Sequence, residues 1–210
     1  MSAIKERPIL FSAPMVRAIL AGTKTQTRRI IKGMALEWLR PSGFTPEFTA
    51  APENGLCPYG KPGDVLWVRE TFRRDIDRYH ARNLVVYRAD DAVSNAATDA
   101  AFEFPDVDWR PSTHMPRWAS RLSLRIKSVR VERLQAISEA DAWAEGCMRG
   151  DPDDAGGWFP ADEPDPSGIG ERGWDCARDW FADLWESING HDSWEANPWV
   201  WAIEFKRVTP

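Results

Sequence analysis

The chain has 210 residues, 43% hydrophobic and 28% charged, proportions that fit one globular domain and exclude a disordered, collagen-like or coiled-coil protein. Its formal net charge of -5 argues against indiscriminate nucleic-acid affinity, and no apolar run reaches the roughly 20 residues of a membrane span. Cys57, Cys147 and Cys176 are an odd set without a C-x-x-C, and three histidines lack ligand spacing, so neither a disulfide framework, a metal nor a cofactor is indicated. The charged start MSAIKERPIL does not suit a secretory signal, and a cytoplasmic protein without a membrane partner is expected.

In chain order, PILFS at 8–12 predicts a strand and PMVRAILAG a helix, with Pro14 at its start and Gly22 at its left-handed end. TKTQTRRII alternates as a strand entered directly from that helix. Residues 33–62 carry five prolines and read as a long irregular insertion. GDVLWVRE at 63–70 is a turn and strand, and LVVYR at 84–88 is another strand. An Ala- and Pro-rich insertion follows at about 89–118. The segment 119–134 predicts a long strand whose phase slips at Lys127-Ser128, as a β-bulge requires. ISEADAWAEG is a short helix with Ser138 as N-cap, and residues 149–173 form an acidic Pro- and Gly-rich insertion. Ala177, Trp180, Phe181, Leu184, Trp185 and Ile188 share one face of a helix over 175–189. WVWAIEFKRV closes the chain as a strand with Trp199, Trp201, Ile203 and Phe205 inward. Together these elements predict one α+β domain over 1–210, a small mixed β-barrel of five to six strands with packed helices.

Charge is segregated along this order. Residues 1–40 are net 6 positive, residues 110–133 again net 6 positive, and residues 134–205 net 14 negative. If the two basic stretches meet in space they form a face that attracts anions, and the acidic part discourages binding elsewhere; otherwise they are two separate solvated faces. The 12 tryptophans are read mainly as core or pocket wall.

The strings ILAGTKTQTRR at 19–29, GDVLWVRE at 63–70, AEG at 144–146 and VWAIEFKRV near the end resemble the ASCH domain family of the PUA-like superfamily. WRPSTHMPRWASRL and SINGHDSWEANPWVWAIEFKRV are similar to the longer ASCH proteins of phages and prophages. The likeness spares only 33–58, 89–107 and 149–172. It implies a PUA-like barrel that handles RNA or modified nucleosides and needs no metal. Small bacterial members hydrolyse N4-acetylcytidine with a Lys, a Thr and a Glu. Carried over by motif, these fall on Lys24, Thr27 and Glu145. The chain departs from them in being about twice as long, in carrying Arg28-Arg29 where one Arg is usual, and in its insertions.

The chemistry is coherent with the residue types. A threonine hydroxyl attacks an amide only if a base removes its proton, and a lysine serves as that base when burial or neighbouring cations lower its pKa. Arg28 and Arg29 supply the cations, and Glu145 at a helix end is expected to be held protonated as the acid. Lys24 and Thr27 converge only if Lys24 belongs to the turn before the strand, because residues three apart on a strand face opposite ways. The alternatives are a phosphate-binding Lys24, an exposed Thr27 and a Glu145 paired with an arginine. Trp67 and Glu70 are candidate pocket residues, Glu70 alternatively pairing with Arg29. Arg117, Trp118, Arg121 and Arg125 interleave charge with an aromatic ring, as single-stranded RNA readers do, or form a solvated stripe with Trp118 in the core. The functional expectation is an amidohydrolase of N4-acylated cytosine or cytidine, with a non-catalytic RNA or modified-base module as the alternative and a ribonuclease as a third option.

Overall fold

Five of the alternating segments assemble into one mixed sheet in a computed structural model of the protein, which describes residues 4–41, 43–77, 82–90, 109–147, 149–152, 158–160 and 174–208. The strands are β1 (Glu6–Leu10), β2 (Gln26–Ile30), β3 (Val65–Arg69), β4 (Phe72–Asp77), β5 (Arg82–Tyr87), β6 (Ser123–Arg133), β7 (Arg149–Pro152), β8 (Trp158–Pro160) and β9 (Trp199–Val208). The helices are α1 (Ala13–Ala21), α2 (Met34–Trp38), α3 (Pro46–Ala50), α4 (Glu139–Ala144) and α5 (Ala177–Asn189). The main sheet runs β1-β3-β6-β9-β2; β1 and β3 are parallel and the other neighbours antiparallel, while β4-β5 and β7-β8 form separate pairs.

Helix α1 ends where the sequence predicts, at Gly22 with φ 81°, a left-handed conformation whose N–H caps Ala18 and Ile19 carbonyls. The long strand β6 slips register against β9 between Ile126 and Ser128, the bulge anticipated from the phase change. Ser138 caps α4 by accepting a hydrogen bond from the Asp141 N–H at 3.1 Å.

Two apolar clusters lie on opposite faces of β9. Ile9, Val16, Ile19, Leu124, Ile126 and Ile203 belong to one, and Leu134, Ala142, Phe181, Trp185 and Val200 to the other. The one-sided pattern expected for the last strand is therefore corrected: Val200, Trp201, Ala202 and Ile203 are all buried, because α4 and α5 cover the face that alternation assigns to solvent. Each such aliphatic side chain contributes on the order of 2 kcal/mol through burial.

The expected barrel is also corrected, since the sheet does not close. Its edge strands β1 and β2 exchange no ladder. Helix α1 connects them and turns Val16, Ala18 and Ile19 inward, and side chains span the remaining interval. Arg29 of β2 donates from Nη2 to the Leu10 carbonyl of β1 at 2.7 Å, and the Phe11 and Phe205 rings meet at 6.2 Å. The insertion at 33–62, read as irregular, contains α2 and α3, the latter capped by the Thr45 hydroxyl. Of the other two insertions, 91–108 and 161–173 lie outside the described residues. Among the described residues, no helix is long and apolar enough to cross a membrane.

Candidate active site

Lys24 lies in the two-residue bend between Thr23 and the start of β2, where it forms an isolated bridge with Glu145. Lys24 therefore precedes β2, whereas Thr27 lies within it, paired with Ile203. Lys24 is 2% exposed, Thr27 1% and Glu145 4%. The Lys24 ammonium donates to the Glu145 backbone carbonyl and to its Oε2, both at 2.7 Å. Close approach of the two segments depends on Gly146: its φ is 107°, and a Cβ there would lie 3.0 Å from the Cβ atoms of both Ala18 and Lys24.

Arg28 completes the Glu145 clamp. Its Nη1 donates to Glu145 Oε1 at 3.0 Å, its Nε to Glu132 at 2.9 Å and its Nη2 to Asp141 at 3.0 Å. Gln26 and Arg130 also donate to Asp141, at 2.8 and 3.0 Å. One guanidinium thus binds three carboxylates and has no donor fork left for a substrate. Arg28, expected as a substrate-binding residue, holds Glu145 in place instead.

Burial pushes the Glu145 carboxyl up, but Lys24 and Arg28 outweigh it and hold the group below the usual glutamate range. This direction favours the ionised form, against the protonated acid expected from the sequence. Two cations within hydrogen-bonding distance overcome the loss of solvent. Burial pushes Lys24 below the ordinary lysine range; Glu145 opposes this, and Arg29 and Arg28 add to it. The direction of the Lys24 shift is the one a general base requires.

Beside this cluster opens a cavity of about 550 Å³, within the range of small-molecule sites. Thr27, Arg28, Arg29 and Glu145 line it, together with Tyr59 and Trp185. The Thr27 hydroxyl makes no hydrogen bond among the described residues, whereas Lys24 stands behind Glu145 and outside the lining. Sequence reasoning missed Tyr59, which comes from the 33–62 insertion, and Trp185, which it assigned to a core helix face. Trp185 is also buried core, and its indole N–H has no hydrogen-bond partner. An orphaned N–H in a cavity wall is a signal that only coordinates give.

The remaining candidates lie elsewhere. Trp67 is outside the cavity, beneath the guanidinium groups of Arg69 at 5.4 Å and Arg117 at 5.9 Å. Glu70 is 2% exposed and accepts both forks of Arg121, at 2.9 and 3.0 Å, so it neither lines the cavity nor pairs with Arg29. Arg121 also bonds Asp90 at 2.8 Å and lies 4.0 Å from the Tyr87 ring centre, which removes it from a free binding stripe. Arg117 pairs with Glu6, Arg125 is exposed, and Trp118 is 61% exposed under Arg74 at 4.8 Å rather than in the core. Among the described residues no group of His, Cys, Asp and Glu could hold a metal ion. Compared with known proteins, the chain matches no family model, and no curated protein or solved structure is significantly similar to it.

Proposed function

We propose that the protein is a metal-independent amidohydrolase acting on N4-acylated cytosine or cytidine, distantly related to the ASCH family of the PUA-like superfamily and working in the cytoplasm. The observation that carries the reading is the buried Lys24–Glu145–Arg28 cluster at the wall of a cavity into which Thr27 presents an uncommitted hydroxyl.

In this reading Thr27 Oγ attacks the acyl carbonyl, and its proton passes to the Lys24–Glu145 pair. As the carbonyl carbon to N4 bond breaks, that pair returns the proton to N4, and cytosine leaves with its amino group restored. Water then attacks the Thr27 ester, releasing the carboxylate and regenerating the hydroxyl. In this reading Arg29, which lines the cavity and spends one donor on the Leu10 carbonyl, faces the developing oxyanion with its remaining donors. Incubation with N4-acetylcytidine, following loss of the acetylated base, tests the proposal. Turnover that disappears in Lys24→Met and Thr27→Val supports it, and absence of turnover by the wild-type protein refutes it.

A second reading is favoured by the exposed Trp118 under Arg74 and by Trp67 between Arg69 and Arg117. Aromatic faces beside guanidinium groups suit stacked bases and phosphates of single-stranded RNA. Salt-sensitive oligonucleotide binding that weakens in Trp118→Ala would support it, and binding indifferent to that change would not.

A further inference from the structure

Next to the Thr27 cavity lies a second one, of about 600 Å³, and the two share Met15, Arg29, Tyr59 and Ile188. We propose that this second cavity binds a phosphate group through Arg29 and Arg69, so that the recess as a whole accepts a nucleotide in preference to a bare nucleoside. The proposal rests on reading the first cavity as a pyrimidine site.

Both arginines line this second cavity, and their backbone or side chains meet the β1 edge at Leu10. Arg69 ends β3 opposite Leu10 in the parallel ladder, and its carbonyl accepts the Phe11 N–H at 3.1 Å. Arg29 reaches the same Leu10 from the other edge strand, donating to its carbonyl at 2.7 Å. Two cationic residues thereby line one cavity.

Two other arginines that are wholly or partly buried are neutralised by carboxylates. Arg28 has three carboxylates and Arg121 two. Arg29 and Arg69 have none among the described residues. Arg69 Nη2 donates to the Thr113 carbonyl, and its Nε is buried without an acceptor. Burial also pulls the Arg29 pKa down, against the opposing influence of Tyr59 and Glu145.

The lining adds the hydroxyl residues Ser12, Thr71 and Ser112. Two guanidinium groups and three hydroxyls offer more donors than the two oxygens of a carboxylate can accept, whereas a phosphate ester has three or four oxygens to share among them. Since Arg29 belongs to both cavities, a phosphate held there stays within one nucleotide of a base beside Thr27.

Calorimetric titration with cytidine, cytidine 5′-monophosphate, the dinucleotide uridylyl-(3′→5′)-cytidine and inorganic phosphate tests this without requiring turnover. The monophosphate is expected to bind about tenfold more tightly than cytidine at low salt, an advantage that Arg69→Gln removes while leaving cytidine affinity unchanged. Arg69→Lys, which keeps the charge without the fork, is expected to retain part of it. An equal gain with the dinucleotide assigns the site to a phosphodiester of a chain, and a gain with the monophosphate alone assigns it to a free nucleotide; both support the site. Phosphate binding that depends on Arg69, with no binding by any cytidine compound, keeps the anion site and fails the pyrimidine reading alone. Equal affinities for cytidine and both phosphorylated probes, unaltered by Arg69→Gln, overturn the proposal.

Discussion

Lys24 meets Glu145 twice, through the backbone carbonyl and through the carboxylate, both at 2.7 Å from one ammonium nitrogen. The double contact fixes the turn before β2 to the end of α4 and couples chain geometry to proton affinity.

Removing either partner has unequal effects. Glu145→Ala leaves Lys24 and Arg28 buried with fewer counter-charges and is expected to lower stability by about 3 to 5 kcal/mol. Lys24→Met leaves Glu145 with Arg28 and is expected to cost less. Urea denaturation of the two variants and the double variant measures the difference; equal losses would contradict the shared clamp.

The pH dependence of stability follows from the two shifts. Glu145 is held below the ordinary glutamate value, so its contribution is complete above about pH 4.3 and is lost as pH falls through the lowered value in the folded protein. Lys24 is also lowered, so between its folded value and about 10.4 the unfolded chain binds the extra proton and stability rises with pH. Glu145→Gln is expected to flatten the acid limb of a melting-temperature profile.

The same variant shifts the rate profile. Glu145 is the group that raises Lys24 against burial, so without it Lys24 loses its proton at lower pH. Residual hydrolysis of N4-acetylcytidine by Glu145→Gln is expected to reach its plateau at lower pH than the wild-type rate.

Thr27→Val keeps shape and removes the hydroxyl. Loss of hydrolysis by at least about a thousandfold, with little change in melting temperature, is expected of a nucleophile. Retained turnover in this variant would move the reaction to water activated directly by the Lys24–Glu145 pair.

Arg121→Ala separates structure from site. It strands Glu70, whose carboxyl burial already pushes up against the opposing Arg121, and is expected to cost about 2 kcal/mol, below the usual loss because Arg121 is 24% exposed. Melting temperature is expected to fall while KM for an N4-acylated cytidine stays unchanged.

Local signals placed much of this architecture. Gly22 announced the end of α1, the slip at Lys127-Ser128 announced the bulge in β6, and Ser138 announced the start of α4. The motif strings singled out Lys24, Thr27 and Glu145, of which Thr27 and Glu145 line one cavity while Lys24 contacts Glu145 from outside its lining. What alternation could not convey was anything set by distant chain. Val200 looked solvent-facing because alternation along one strand does not show that α4 and α5 pack over its other face. Arg28 looked like a ligand-binding cation because Glu132 and Asp141, more than a hundred positions away, are what occupy it. β4 went unread since FRRDID lacks apolar alternation; its Phe72 enters a buried cluster with Met115 and Ala119.

In a fully closed ring of strands, mechanical load spreads over many amide pairs; here the Arg29 to Leu10 bond and one pair of rings carry the seam. Amides flanking that seam are expected to exchange with deuterium sooner than those of β6 and β9. Because Arg29 of that seam also lines both cavities, breathing of the fold and admission of a guest are coupled through one side chain, and a guest held by it would act as a suture.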